Sequence, residues 1–295
     1  MKLTLQTLLD EGSRRLEEAG IEESLLDAKY LLFEAFCTDM THFIMNRNEE
    51  LRDEDTVKRA VAVYRETIGR RAMRIPLQQI TGSRGFMGLD FYVNEHVLIP
   101  RQDTETLVEE VLKDFKGKDK SDRTVLDMCA GSGCIGLSLM VLGGFFHVTE
   151  ADISAEALKV VKRNAERLLE DGWEDRVSLL EGDLFSSFAG KREFDVIVSN
   201  PPYIPTAVIE GLEPEVKDHE PRIALDGKED GLYFYRRLVK ECPRYLKPGG
   251  TVYFEIGYDQ GEAVSALLRE AGFQDVCVIK DAPGHDRVVK GVLES

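Results

Sequence analysis

Four consecutive residues, Asn200-Pro201-Pro202-Tyr203, carry the clearest chemistry in this 295-residue chain. They follow Phe194-Asp195-Val196-Ile197-Val198-Ser199, a short apolar run with β-branched residues that predicts a buried parallel strand. Two prolines can neither extend that strand nor enter a helix interior, so the chain must leave the sheet there. The Asn200 amide is thereby placed at the carboxyl end of a strand, where open α/β sheets bind ligands. The amide brings one acceptor oxygen and two donor hydrogens. Pro201 brings a carbonyl with no N–H beside it, and Tyr203 a flat ring. With Pro202, these groups could hold a planar, neutral NH2 group by hydrogen bonds and stacking. For the tetrapeptide alone, a proline-rich turn without a ligand is the competing reading.

A second set lies upstream. The stretch Met128 to Gly136 contains Gly131-x-Gly133-x-x-Gly136, and an acid follows at Asp152. Glycines let a backbone approach a ligand closely, and the acid can accept from two ribose hydroxyls. This pattern predicts a ribose-bearing cofactor without saying which one. Three features favour S-adenosylmethionine over a nicotinamide dinucleotide. Asp127, at the end of the predicted first strand Thr124-Val125-Leu126-Asp127, could meet a cationic amino group; a pyrophosphate there would be repelled. Asp183, after a third strand, could accept from an adenine amino group, with Leu184 or Phe185 against the ring. Asn200 to Tyr203 follow the fourth strand, where a methyl acceptor would lie beside the sulfonium. No His lies in these loops to serve a hydride transfer. A donor held in this way would contact Asp127, Cys129, Ala130, Gly131, Ser132, Gly133, Asp152, Asp183, Leu184 and Asn200. It would leave as S-adenosylhomocysteine, and the sulfonium chemistry requires no metal.

These side chains need a scaffold. From Arg123 onward, strand and helix patterns alternate, which predicts an α/β fold. The sheet should be Rossmann-like and mostly parallel, with an antiparallel edge hairpin between Val276 and Val292 and a turn at Lys247-Pro248-Gly249-Gly250 leading into a strand at Thr251 to Ile256. Before it, residues 1–72 read as a small helical-bundle domain for substrate recognition. Leu5, Leu8, Leu9 and Leu16 share one face, with Gly20 as a stop; Ser24 is positioned to cap a second helix with Leu25, Ala28, Leu31, Leu32 and Ala35 inward. Residues 73–105 form a linker with a hairpin around Gly88, and residues 106–295 the catalytic domain. Arg70, Arg71 and Arg74 at the junction are either solvated or in contact with a partner. Asp103 or Thr104 is placed to cap the helix that carries Leu107, Val108 and Val111.

The net charge of -16 argues against a broad nucleic-acid footprint, so no direct nucleic-acid contact is expected. Five cysteines, an odd number without paired CxxC spacing, argue against a disulfide or metal framework and fit a reducing cytoplasm. The start, Met1-Lys2-Leu3-Thr4, leads into a charged amphipathic pattern without a signal peptide. No apolar stretch approaches membrane-spanning length, so no membrane contact is expected.

The series Asp-x-x-x-Gly-x-Gly, Asp152, Asp183 and Asn-Pro-Pro-Tyr resembles a class I methyltransferase that modifies a planar nitrogen. Val97 to Glu105 is similar to the Leu-Ile-Pro-Arg-Pro-Asp-Thr-Glu signature of the PrmC/HemK family, the protein-(glutamine-N5) methyltransferases of peptide chain release factors; Gln102 replaces the second proline. Pro76 to Gly82, Glu220 to Gly227, Asp230-Gly231-Leu232 and Lys280 to Val289 also resemble that family, so the likeness spans about residues 70 to 292. Cys129-Ala130 stands where Gly-Thr is more usual, and a side chain at Cys129 could crowd the methionine end of the cofactor. The resemblance implies methylation of the glutamine in the Gly-Gly-Gln motif of a class 1 release factor, with Asn200 and Pro201 holding the amide. Other readings are a ribosomal-protein glutamine methyltransferase, an enzyme acting on exocyclic amines of DNA or RNA bases, and a cofactor-binding subunit without activity. Asp103-Thr104-Glu105 favours release factors over the ribosomal protein.

Overall fold

A computed structural model describes residues 2–52, 54–169, 171–190 and 192–294. By internal contacts it separates into two units: Met1–Gly82 with Glu213–His219, and Ser83–Leu212 with Glu220–Ser295.

The helical unit contains α1 (Leu5–Glu18), α2 (Ser24–Phe36), α3 (Met40–Asn46), α4 (Asp55–Ala72) and α5 (Leu77–Thr81). Its core joins Leu8, Leu9 and Leu16 to Leu31, Leu32, Tyr64 and Ile68, close to the face predicted from periodicity. Two expectations fail. Glu23, not Ser24, precedes α2 and no side chain caps it; Leu25 points to solvent because the helical face turns past it. Arg71 and Arg74 are neither solvated nor free for a partner. Arg71 donates to Asp27 at 2.7 Å and to Glu215 at 2.9 Å, and Arg74 Nε donates to Glu215 at 2.9 Å. Glu215 comes from α10 (Pro214–Lys217), in the segment that returns to this unit.

In the larger unit, the hairpin β1 (Ser83–Phe86) and β2 (Leu89–Tyr92) turns at Met87-Gly88 with φ of 52° and 76°, the paired positive values of a tight type I′ turn. Seven further strands form one sheet: β3 (Thr124–Met128), β4 (His147–Asp152), β5 (Val177–Glu181), β6 (Phe194–Ser199), β7 (Leu246–Glu255), β8 (Phe273–Lys280) and β9 (Asp286–Leu293). Their order is β5-β4-β3-β6-β7-β9-β8. β3 to β7 run parallel, and β9 enters antiparallel between β7 and β8. The hairpin expected at the edge is therefore present, with its second strand inside the sheet. β7 begins before the expected turn, at Leu246, because the chain stays paired to β6 through a register shift.

Helices α6 (Glu105–Asp114), α7 (Cys134–Gly143), α8 (Ala155–Leu169), the short α9 (Thr206–Ile209), α11 (Tyr233–Glu241) and α12 (Gly261–Glu270) complete this unit. Two buried clusters, one including Val125, Val148, Val196 and α7, the other Ile197, Val252, Phe254 and α11, contain strand residues of alternating parity. Every residue of β6 is buried, as a strand covered on both faces requires. The direction of strand succession reverses between β3 and β6, and the ligand crevice of such sheets lies outside the carboxyl ends at that point. Among the described residues no helix is long and apolar enough to cross a membrane.

Candidate active site

A cavity of about 280 Å³ opens at that crevice. Its floor is the loop from β3 to α7. Cys129 and Ala130 donate their N–H groups to Ala151 O at 2.9 and 3.1 Å, which clamps the loop to β4. The Gly131 N–H donates to Asp152 Oδ2 at 2.9 Å, and the Ser154 N–H to Oδ1 at 2.9 Å. Asp152 spends two of its roughly four acceptor positions on the backbone and keeps the rest for a ligand. Burial pushes its carboxyl above the usual range, against those donors.

The loop's glycines serve different needs. Gly131 has φ +55°, and a Cβ there would meet nothing within 4 Å, so it serves backbone conformation. At Gly136 a Cβ would lie 2.3 Å from Glu150 Oε1 and 2.8 Å from Val148, so this glycine serves close helix-to-strand packing. Cys129 adopts φ 64° despite its side chain, and burial pushes its thiol up. It lines the cavity, as do Ala130, Gly131, Ser132, Asp152, Asp183, Leu184, Asn200 and Pro202. Asp127, Gly133, Pro201 and Tyr203 do not.

Asp127 was expected at the cofactor's amino group. Its side chain instead points beneath the loop, fully buried, and accepts from the Gly136 N–H at 2.8 Å. Its strand neighbour is Glu150, also fully buried. Desolvation raises both carboxyls above the ordinary range, and the Asp127 charge raises Glu150 further. Asp183 lines the cavity but is half-exposed, and Arg237 donates to its two oxygens at 2.9 and 3.0 Å. A carboxylate in such a pair still has lone pairs for an adenine amine.

Above the floor, β6 ends at Ser199 and Asn200 begins the exit loop. Asn200 Nδ2 donates to Thr104 Oγ1 at 3.4 Å. Thr104 stands at the N-cap position of α6, yet its side chain makes no cap bond. The helix cap expected of it gives way to this contact. Tyr203 is largely buried, and its hydroxyl donates to Glu255 Oε1 at 3.4 Å. Gln260 Nε2 donates to Tyr203 O at 3.1 Å. Gly227 and Gly231 allow the chain to pack on the Tyr203 backbone, where a Cβ would approach within 2.7 and 2.3 Å.

Several positioning residues were missed from sequence. Asn164 on α8 accepts from the Tyr92 N–H at 2.7 Å and donates to Ser132 O at 2.9 Å, joining hairpin to glycine loop. Arg101 pairs with buried Glu220. Glu255 ends β7 directly after the buried run Val252-Tyr253-Phe254. A lone acid or amide in a buried apolar pattern was the available signal for Asn164, Glu150 and Glu255.

Comparison with known proteins now decides the family. A model described as the PrmC N-terminal domain matches residues 7–82, and one described as the methyltransferase small domain matches residues 102–210. The release factor glutamine methyltransferase of Caulobacter vibrioides is 43% identical over 292 residues, covering 99% of this chain and 97% of that one. The protein of the same description from Geobacter sulfurreducens is 42% identical over 98% of this chain and 96% of its own. The chain belongs to the release factor glutamine methyltransferase family. It is accordingly an S-adenosylmethionine-dependent glutamine methyltransferase. A solved methyltransferase structure from Pyrococcus furiosus, at 20% identity and a TM-score of 0.52 over 77% of this chain and 99% of that chain, shares the fold.

Proposed function

We propose that this protein methylates the side-chain amide nitrogen of the glutamine in the Gly-Gly-Gln motif of a peptide chain release factor. One observation carries this reading. The Asn200 amide lines the same cavity as the Gly131 loop and Asp152, and its Nδ2 donates to Thr104. An acceptor oxygen is thereby left for a neutral amide, beside the place where a nucleoside-bearing donor fits.

A carboxamide nitrogen is a poor nucleophile because its lone pair is delocalised. Asn200 Oδ1 and the Pro201 carbonyl accept its two hydrogens, which orients the nitrogen and stabilises the positive charge that grows during attack. Pro202 and Tyr203 flank the flat amide. When bound, the cofactor supplies an electrophilic methyl group on a sulfonium, with a neutral thioether as leaving group. The nitrogen's surplus proton passes to water after transfer.

The residues of the floor fit that cofactor: Asp152 for the ribose hydroxyls, Asp183 and Leu184 for the adenine, and Cys129, Ala130, Gly131, Ser132 and Gly133 around the methionine end. Asp127 supports this end from below by holding the Gly136 N–H. Residues 1–72 serve release-factor recognition, and the reaction belongs in the cytoplasm, where release factors act. The test is transfer of radiolabelled methyl from S-adenosylmethionine to purified release factor, ribosomal protein and nucleic acid. Label on the release factor that vanishes when the motif glutamine is replaced by alanine is the expected result. Label on either of the others alone overturns the reading.

A further inference from the structure

The loop from Asn200 to Tyr203 is short of main-chain donors, because Pro201 and Pro202 carry no N–H. It has to be fixed from its two ends. Upstream, Ser199 closes β6, paired beside Met128 of β3 and Phe254 of β7. Downstream, the Tyr203 main-chain oxygen is held by a single side chain, Gln260, just beyond β7.

Gln260 is buried, and both ends of its amide are in use. Nε2 donates to Tyr203 O at 3.1 Å and to Gly231 O at 3.3 Å, and Oε1 accepts from the Gly257 N–H at 2.9 Å. A carbonyl only accepts and a main-chain N–H only donates, so this amide has one workable orientation. The Gln260 N–H also donates to Gly257 O at 3.0 Å, which fixes the base of the side chain in the same turn. The packing around it leaves no slack. Gly231 has φ +73°, and a Cβ there would lie 2.3 Å from Tyr203 O and 2.6 Å from Gln260 Nε2. The bond leads on into a short parallel bridge: the Ile204 N–H donates to Leu225 O at 3.1 Å, and the Gly227 N–H to Ile204 O at 2.8 Å.

Resting on the function proposed above, we infer that Gln260 is a positioning residue for methyl transfer. It holds the downstream end of the acceptor loop, and so sets the Pro201 carbonyl and the Tyr203 ring against the substrate amide. The two proline rings fix φ between the held ends, so few arrangements of the loop remain. Without the Gln260 bonds the downstream half of the loop can turn away, while Asn200 keeps its attachment to β6. Gln260 does not line the cavity, and the cofactor floor at Gly131 and Asp152 is held by bonds that do not involve it. Its loss should therefore fall on the acceptor side alone.

The full-length protein is assayed with purified release factor. Gln260→Met fills the same space without the hydrogen bonds. It should lower kcat about 10- to 100-fold and leave the dissociation constant for S-adenosylmethionine within about twofold. Gln260→Glu keeps an acceptor for Gly257 but turns a carboxylate oxygen toward two carbonyls, and should be at least as impaired at pH 8. A Gln260→Met or Gln260→Glu enzyme with near-normal kcat overturns the inference, as does a loss of cofactor affinity as large as the loss of kcat. A second readout needs no substrate: main-chain hydrogen exchange of the free protein, followed by NMR. The Ile204 and Gly227 N–H groups should exchange about tenfold faster in Gln260→Met, with those of β6 unchanged. Equal exchange at Ile204 and Gly227, or an equal acceleration throughout β6, overturns the inference. If wild type fails to label the release factor while the difference at Ile204 and Gly227 persists, the functional reading fails and the Gln260 anchor stands.

Discussion

The floor and the far wall of the cavity are held by different means. The floor is held by backbone donors meeting carboxylates within one β–α unit or between adjacent ones: Gly131 and Ser154 on Asp152, Gly136 on Asp127. The wall is held by side chains from distant parts of the chain: Thr104 with Asn200, Glu255 and Gln260 with Tyr203. A site built from local backbone bonds leaves a motif at fixed spacing, and glycines where the backbone must bend or pack closely. One built from remote side chains leaves single residues that read as something else. The floor should therefore tolerate change in its surroundings better than the wall, and losses on each side should appear in different constants.

The largest expected effect on the floor is from Asp152→Ala. It should weaken S-adenosylmethionine binding about 100-fold, roughly 2.7 kcal/mol, measured by calorimetry, with saturating turnover less affected. Turnover lost without weaker binding would blur the division between the two halves.

Glu150→Gln addresses the buried pair beneath the floor. Asp127 and Glu150 are raised in the folded protein, so between the ordinary carboxylate range and their folded values the native state binds more protons than the unfolded chain. Their contribution to stability is full at low pH and is lost as pH rises through the folded values. The wild-type unfolding free energy should therefore fall with rising pH more steeply than that of Glu150→Gln, by on the order of 1 kcal/mol per pH unit. Parallel curves would show that burial does not raise these carboxyls in the folded protein.

The smallest effect is expected at Gln102, which is exposed and away from the cavity. Arg101 before it already has the extended backbone that precedes a proline, φ -93° and ψ 147°. Gln102→Pro should shift stability by no more than about 0.5 kcal/mol and leave kcat unchanged. A clear loss would make the approach to Thr104 more sensitive than the wall contacts suggest.

What was legible in sequence follows the same division. The α/β alternation, the glycine loop, Asp152 and the turn at Asn200 could be read because each depends on residues near in the chain. Asp103 or Thr104 reads as the helix cap, since an Asp or Thr before a helical pattern ordinarily is one; Thr104 takes the N-cap position without a cap bond. Its hydroxyl serves Asn200 instead, a partner 96 residues away. Asp127 was placed at the cofactor because its strand position was legible but its side-chain direction was not; its bond to Gly136 depends on where α7 packs. Arg71 and Arg74 looked like a surface cluster because their partner Glu215 lies 144 and 141 residues on. Sequence spacing carries local backbone geometry well and remote side-chain pairing poorly.

Asn200→Ala tests the central claim most directly, with cofactor affinity and methyl transfer to a release factor measured on the same preparation. Removing the amide should lower kcat by on the order of 100- to 1,000-fold, while S-adenosylmethionine binds within about twofold of wild type. Near-normal transfer by this variant would contradict the account, because the wall would then not hold the acceptor nitrogen through Asn200.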